Sequence, residues 1–278
     1  MPDTEHNPAG NNLFARARQC LDCADPETKC KLTDLAVDDL NAGRLDLRNM
    51  DQPQPIAAPG RPPRPELIAP RDLPRRRPGS VAGRAALLHA VVHIEFNAIN
   101  LAWDAVYRFR DMPEAFYRDW ARVAREEAYH FHLLCERLAA LGYAYGDFPA
   151  HDGLWEMACR TAHDPLVRMA LVPRVLEARG LDVTPDMIRR LEQAGDVEVV
   201  RVLEIILRDE IGHVEIGTRW YRYLCEQRNI EPDATFEALV VEYMPGQVKT
   251  PFHYAARQQA GFNAAEMASL ERLAATKR

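Results

Sequence analysis

Along most of this chain apolar residues recur every three or four positions, the period of a helix with one buried face. Leu13, Phe14, Ala17, Cys20 and Leu21 begin the pattern, Pro26 interrupts it, and Lys29 to Leu40 resume it. That predicts a helical hairpin within residues 11–48, packed on the rest of the fold or on a second subunit. From 50 to 78 prolines crowd the chain (Pro53, Pro55, Pro62, Pro63, Pro65, Pro78), which excludes a regular helix or central strand and predicts an extended arm. Ser80 is placed to cap a long helix over 81–110, whose stripe reads Leu88, Val91, Val92, Glu95, Ala98, Ile99, Ala102. Pro113 suits the first position of the next helix, with Asp111 near its cap and Gly142 as its stop. Its inner face carries Trp120, Val123, Ala124, Glu127, His130, Phe131 and Leu134. A long connection follows over 142–164. Asp164-Pro165 then opens a third helix, which carries Pro173 and is expected to end near Gly180, with Glu177 close to that end. Thr184-Pro185 reads as the start of a further short helix. Asp196 can cap the fourth long helix, to about 229, with Leu203, Ile206, Leu207, Glu210, His213, Val214 and Gly217 on one face. The C-terminal portion holds a short helix near 233–243, an aromatic and basic stretch Pro251 to Arg257, and a last helix from Ala264.

These elements predict an all-α fold: a four-helix bundle over 81–230 with one long crossover. A helical segment (1–49) and a Pro/Arg-rich arm (50–80) precede it, and a helical extension (231–278) packs on it. The 278 residues are 47% hydrophobic, enough for a sizeable core. A net charge of −6 makes no global case for nucleic acid or anionic membrane. No apolar run is expected to span a bilayer, and the polar N-terminus lacks the order of a signal peptide, so the expected compartment is the cytoplasm. Six cysteines fit that compartment as reduced thiols. Cys135, Cys159 and Cys225 fall in or beside apolar helical segments and are expected in the core. Cys20, Cys23 and Cys30 cluster, but only His6 stands near as a fourth zinc ligand, and helix-packing thiols are the simpler reading.

Acids and histidines that interrupt apolar stripes change the picture. Glu127-x-x-His130 and Glu210-x-x-His213 are the two E-x-x-H motifs of the chain. Residues three apart on a helix lie one turn apart on one face, so each Glu–His pair can reach one metal ion. Glu95 lies 32 residues before Glu127, and Glu177 lies 33 before Glu210, giving two similarly spaced halves. The order Glu, Glu-x-x-His, Glu, Glu-x-x-His is the one a dinuclear carboxylate bundle uses. Unpaired acids on apolar stripes are costly, which favours a bound cation over a solvated helix face. Four carboxylates and two imidazoles suit two divalent first-row ions, with iron ahead of manganese or a mixed Mn/Fe pair. Glu126 and Asp209 each precede a ligand and are candidates to support a metal-bound imidazole: Asp209 for His130 and Glu126 for His213. A surface ion pair with Arg125 or Arg208 is the alternative.

The stretches His89-Ala90-Val91-Val92-His93-Ile94-Glu95, Glu126-Glu127-Ala128-Tyr129-His130-Phe131 and His151-Asp152-Gly153-Leu154-Trp155 resemble a bacterial ferritin-like family classified as a domain of unknown function. So do Glu177-Ala178-Arg179-Gly180-Leu181-Asp182 and Asp209-Glu210-Ile211-Gly212-His213-Val214, and the resemblance covers roughly residues 10–270. It implies a ferritin-like bundle and a di-iron carboxylate centre, and names no substrate. More remotely, the ligand order is similar to that of ribonucleotide reductase small subunits and a tRNA-modifying di-iron hydroxylase.

The function expected first is an O2-activating di-iron oxidoreductase acting on an unidentified small substrate, supplied with electrons by a separate donor. Iron handling by a ferroxidase, and a metal-stabilised scaffold that binds a partner, are the alternatives; a homodimer fits any of these. Tyr129, Trp155 and Arg257 are candidates for the pocket beside the metals. Tyr129, next to a ligand, is also weighed as a radical relay against a packing tyrosine.

Overall fold

The computed structural model describes residues 10–49, 51–74 and 80–276; His6, Met50 and the stretch Arg75 to Pro78 lie outside them. Helices make up the regular structure, and the described residues contain no strand beyond two isolated bridges, Asn12–Asp46 and Leu67–Ala150. The all-α expectation holds. The chain divides into two compact units, Met1–Trp155 and Glu156–Arg278.

The first unit is built on α1 (Leu13–Asp22), α2 (Pro26–Asn41), α3 (Val81–Arg108) and α4 (Glu114–Ala140). Asn12 starts α1 by accepting from the amides of Phe14 and Ala15 at 3.0 and 3.2 Å. Asp25 starts α2 by accepting from Thr28 at 2.8 Å, with Pro26 in the first turn. The predicted hairpin is therefore real, and it packs on α3 and α4. Lys29 shows how tightly. Its ammonium is fully buried and donates to the carbonyls of Cys20 (2.8 Å) and Leu21 (3.2 Å) and to Asn100 Oδ1 (2.5 Å). It thereby satisfies the open carbonyl end of α1 and ties that end to α3. Burial lowers its pKa to about 8.

Ser80 caps α3, its Oγ accepting from Gly83 at 3.0 Å. By length and composition α3 could cross a membrane, contrary to the expectation from sequence, but 72% of its apolar window is buried in the protein, as suits the core helix of a soluble one. Pro113 sits just outside α4 rather than in its first turn, with extended backbone (ψ 151°) that a residue at a helix cap adopts. Gly142 ends that helix region with φ +82°, a left-handed conformation that glycine takes without strain.

The arm over 51–74 is extended apart from one turn at Pro70–Asp72. It is stitched down along its length. Gln54 N donates to Tyr107 Oη at 2.9 Å, Trp155 Nε1 to Ala57 O at 3.0 Å, Gly60 N to Leu21 O at 2.7 Å, and Arg61 pairs with Asp152 at 3.0 Å. Gly60 is required at its crossing, because a Cβ there would stand 2.2 Å from the carbonyl oxygen of Asp22.

The long connection is more ordered than its sequence suggests. It contains α5 (Gly153–Arg160), and its first part is moored to α3 by buried histidines. His89 Nε2 accepts from Gly146 N at 2.9 Å, and His93 Nδ1 lies 2.9 Å from Tyr145 Oη. Burial, then the neighbouring His93, lowers the His89 pKa to about 4. The unfolded ring titrates near 6.5. As pH falls from about 6.5 to about 4 the unfolded chain takes up a proton that the folded one refuses. Stability is therefore lost across that window, by up to about 1.4 kcal/mol per pH unit. His89→Gln, followed by urea unfolding between about pH 7 and about pH 4, is expected to show a shallower loss. An unchanged pH slope would place the titrating group elsewhere.

The second unit holds α6 (Pro165–Leu171), a π-helical turn (Val172–Glu177), α7 (Ala178–Gln193), α8 (Val197–Gln227), α9 (Pro232–Tyr243), α10 (Tyr254–Gln259) and α11 (Ala264–Ala275). Here the sequence misled. The third helix does not stop at Gly180, and Pro185 does not start a new one: both lie inside α7. The disturbance comes earlier, at Pro173. Its missing N–H and bulky ring cannot be accommodated in a regular α-turn, and the helix widens into a π-turn there. The ring packs on α8 at Gly217, where an added Cβ would meet Pro173 Cγ at 2.3 Å. Arg174, fully buried, donates to the Glu266 carboxylate and lies 4.2 Å from the Phe236 ring, so it pins α9 and α11 beside the π-turn. Arg257 is likewise buried (3% exposed) and is held by Asp182 at 2.9 and 2.7 Å, anchoring α10 to α7.

The six cysteines are free thiols. Cys20 and Cys225 are buried as expected and Cys135 partly so, but Cys159 is exposed, because it lies on the outer face of the short α5.

Candidate metal centre

In the first unit α3 supplies Glu95, and α4 supplies Glu127 and His130 from successive turns of one face. Glu95 is 3% exposed, and Glu127 and His130 are fully buried. His130 Nδ1 lies 3.2 Å from Glu95 Oε2 and 3.4 Å from Glu127 Oε2. The ligand atoms that these residues offer all lie within 4.8 Å of one another. Two carboxylates thus converge with one imidazole in a place shut off from water.

The electrostatics follow from that crowding. Burial, then the negative charge of Glu127, pushes the Glu95 pKa well above the usual carboxylate range. Burial by itself would lower His130, but Glu127 and Glu95 beside it outweigh that and raise it to about 11. Without a metal, both shifts favour a proton held within the cluster, in the place where a metal ion would otherwise balance the acids. Two hard oxygen donors and one borderline nitrogen form a set that divalent first-row metals accept. This buried carboxylate–histidine cluster could hold a metal ion.

The second unit carries the matching pair on α8. Glu210 is 8% exposed and His213 fully buried, with His213 Nδ1 3.6 Å from Glu210 Oε1. Glu177 is half-buried and is the last residue of the π-turn. Asp209 receives the Arg208 guanidinium at 2.8 and 3.1 Å.

The remaining candidates are scattered. Glu126 and Tyr129 lie on the outward side of α4 and line a groove there, with Tyr129 51% exposed and its ring centroid 6.4 Å from that of His130. Trp155 is 1% exposed and holds the arm through Ala57. With Arg257 committed to Asp182, both side chains serve as anchors. His132 is exposed, 3.4 Å from Glu136.

Beyond the predicted site residues, α3 buries a further set of polar side chains. His89, His93 and Asn97 follow each other at intervals of four, and Asn97 Nδ2 donates to the His93 carbonyl at 2.8 Å. Asp104, fully buried, pairs with Arg108 at 2.6 Å, so α3 buries a second acid in addition to Glu95. The signal was present in the spacing: polar residues repeating every fourth position on an otherwise apolar helix need partners.

Comparison with known proteins gives a family and no activity. The family described as "Protein of unknown function (DUF455)" matches residues 22–268. A Haemophilus influenzae protein, described as uncharacterized, is 47% identical over 265 residues, covering 92% of each chain. No solved structure matches. With a family match across most of its length and a full-length relative of that identity, the chain belongs to the DUF455 family.

Proposed function

We propose that this protein is a di-iron carboxylate oxidoreductase that activates O2 for a reaction on a small organic substrate. The observation that carries the proposal is the buried convergence of Glu95, Glu127 and His130. The recurrence of a buried Glu–His pair at the same spacing on α8 supports it. In this reading α3, α4, the third helix (α6 to α7) and α8 form a ferritin-like bundle over 81–230. Glu95, Glu127, His130, Glu177, Glu210 and His213 together hold the two ions, with manganese able to replace iron. Asp209 would orient a ligating imidazole, as outer carboxylates commonly do. Glu177 would come from a π-turn, a distortion often found at functional sites.

When bound, a pair of iron ions supplies the electrons and the binding position that O2 reduction needs. The chain's own contribution is the enclosure. The apolar neighbours on the α3 and α4 stripes, Val92, Ile99, Val123 and Leu134, are almost fully buried and keep water from the acids. Electrons would come from a separate donor, and the setting would be the cytoplasm.

The test is oxidation stoichiometry. Protein loaded anaerobically with two Fe(II) per chain and mixed rapidly with O2 is expected to undergo one oxidation event per site and keep its iron. Sustained oxidation of added Fe(II), with a mineral core building up, would replace this reading with iron handling. Failure to retain Fe(II), Mn(II) or any other divalent ion would end it.

A further inference from the structure

Between α2, the arm and the outward side of α4 runs a groove of about 970 Å3 to which the metal proposal gives no role. Its size lies at the upper end of the range for sites that enclose small organic ligands, about 300–1,000 Å3. The floor is apolar, formed by Tyr129, Phe131, Tyr145, Cys30, Cys135 and Pro62. Part of that floor is rigid: Phe131 and Tyr145 pack edge to face with centroids 5.4 Å apart, and Tyr145 is further held by His93. Burial raises Cys30 and Cys135 to about 12, so both stay uncharged thiols. Tyr129 differs from its neighbours, with half its surface uncovered by the fold.

The rim sets the sign of charge that fits. Asp25, Glu27, Asp34 and Glu126 face it against two fixed cations, Lys31 and Arg125. Both cations are already engaged. Lys31 Nζ is 2.7 Å from Glu27, and Arg125 reaches Asp38 at 2.6 Å and Asp34 at 3.3 Å. The nearby His132 lies 3.4 Å from Glu136. An anionic ligand would have to pull a cation away from its carboxylate before gaining anything. A cationic ligand meets an excess of acid, and the open face of Tyr129 adds a further attraction. We infer that this groove binds an organic cation, an ammonium group carried on an apolar body of aromatic size. The inference does not depend on the metal proposal, since every wall residue used here belongs to the first unit and none is a candidate ligand.

The experiment uses three probes of one shape and different charge: 4-phenylbutylamine, 4-phenylbutanol and 4-phenylbutyrate, titrated into the full-length protein by calorimetry. The amine is expected to bind tightest, about tenfold or more over the butyrate, with the alcohol between them. Tyr129→Ala should weaken amine and alcohol alike. Asp25→Asn keeps a good cap for α2 and should weaken the amine alone. Both positions are exposed, and an unchanged unfolding midpoint will show that the fold is kept. Absence of saturable binding, a preference for the butyrate, or affinities indifferent to Tyr129→Ala would each overturn the inference. Running the titration on metal-free and metal-loaded protein separates the two proposals, because loss of metal should leave the order of the probes intact.

Discussion

Divalent metal is expected to stabilise this protein, and Glu127→Gln to abolish that gain while leaving the metal-free fold intact. The wild-type chain should unfold at higher temperature with Fe(II) or Mn(II) under anaerobic conditions. At a free ion concentration about a hundred times Kd, the gain is about 2.7 kcal/mol. Glu127 is fully buried 3.4 Å from His130, and its loss as a carboxylate removes a donor that no neighbour on α4 can replace. Outer residues around metals cost about 10–100-fold in affinity when changed, and a direct ligand should cost more than that. In the metal-free state the substitution costs little, because one of two crowded buried acids becomes neutral and Glu95 remains 3.2 Å from His130. The combination is diagnostic: metal-induced shift lost, basal stability kept. A variant that still gains its full shift with metal would show that the ion binds elsewhere, and the carboxylate–histidine cluster would then be a structural ion pair.

The second large effect is expected at Gly217. A Cβ on that residue would stand 2.3 and 2.4 Å from two atoms of the Pro173 ring, closer than such atoms approach in real proteins. The ring cannot swing aside as a flexible side chain would, since it is part of the backbone of the π-turn. Gly217→Ala should therefore destabilise by about 1–3 kcal/mol through overpacking, or force α8 away from that turn. Gly212 offers the control on the same helix. Nothing lies within 4 Å of a Cβ built there, so Gly212→Ala should be neutral or stabilising by up to about 1 kcal/mol. Urea unfolding of the two variants side by side measures the difference. Equal stabilities would mean that α8 and the Pro173 turn are not in the close contact described.

The contrast between those two glycines also shows where sequence stops being informative. Both occur in one helical pattern, and nothing local tells which of them another residue presses against. The helices themselves were legible because capping and periodicity are local: Ser80, Asp25 and Pro26 act within one turn of where they stand. Glu127 and His130 were legible for the same reason, since i, i+3 spacing on one helix face is decided by helix geometry alone. The course of the third helix was not. Gly180 and Pro185 are breakers by propensity, yet α7 runs through both, and the real departure from α-geometry lies at Pro173, where α8 presents a glycine to the ring. Trp155 and Arg257 show a related limit. A large amphipathic side chain outside the main helices can line a pocket or fasten a segment, and only its partners, Ala57 and Asp182 here, decide between the two.

The π-turn over Val172–Glu177 carries one more implication. Such a turn holds a surplus residue relative to regular helix, so α6 and α7 follow two separate phases, offset at that point. Deletion of Pro173 itself would let the turn convert to ordinary α-helix, whereas a single-residue deletion elsewhere in the helix would rotate every later side chain by about 100° and draw it in by about 1.5 Å. Glu177 ends this wide turn. The third helix thus carries its carboxylate at the point where its two phases meet.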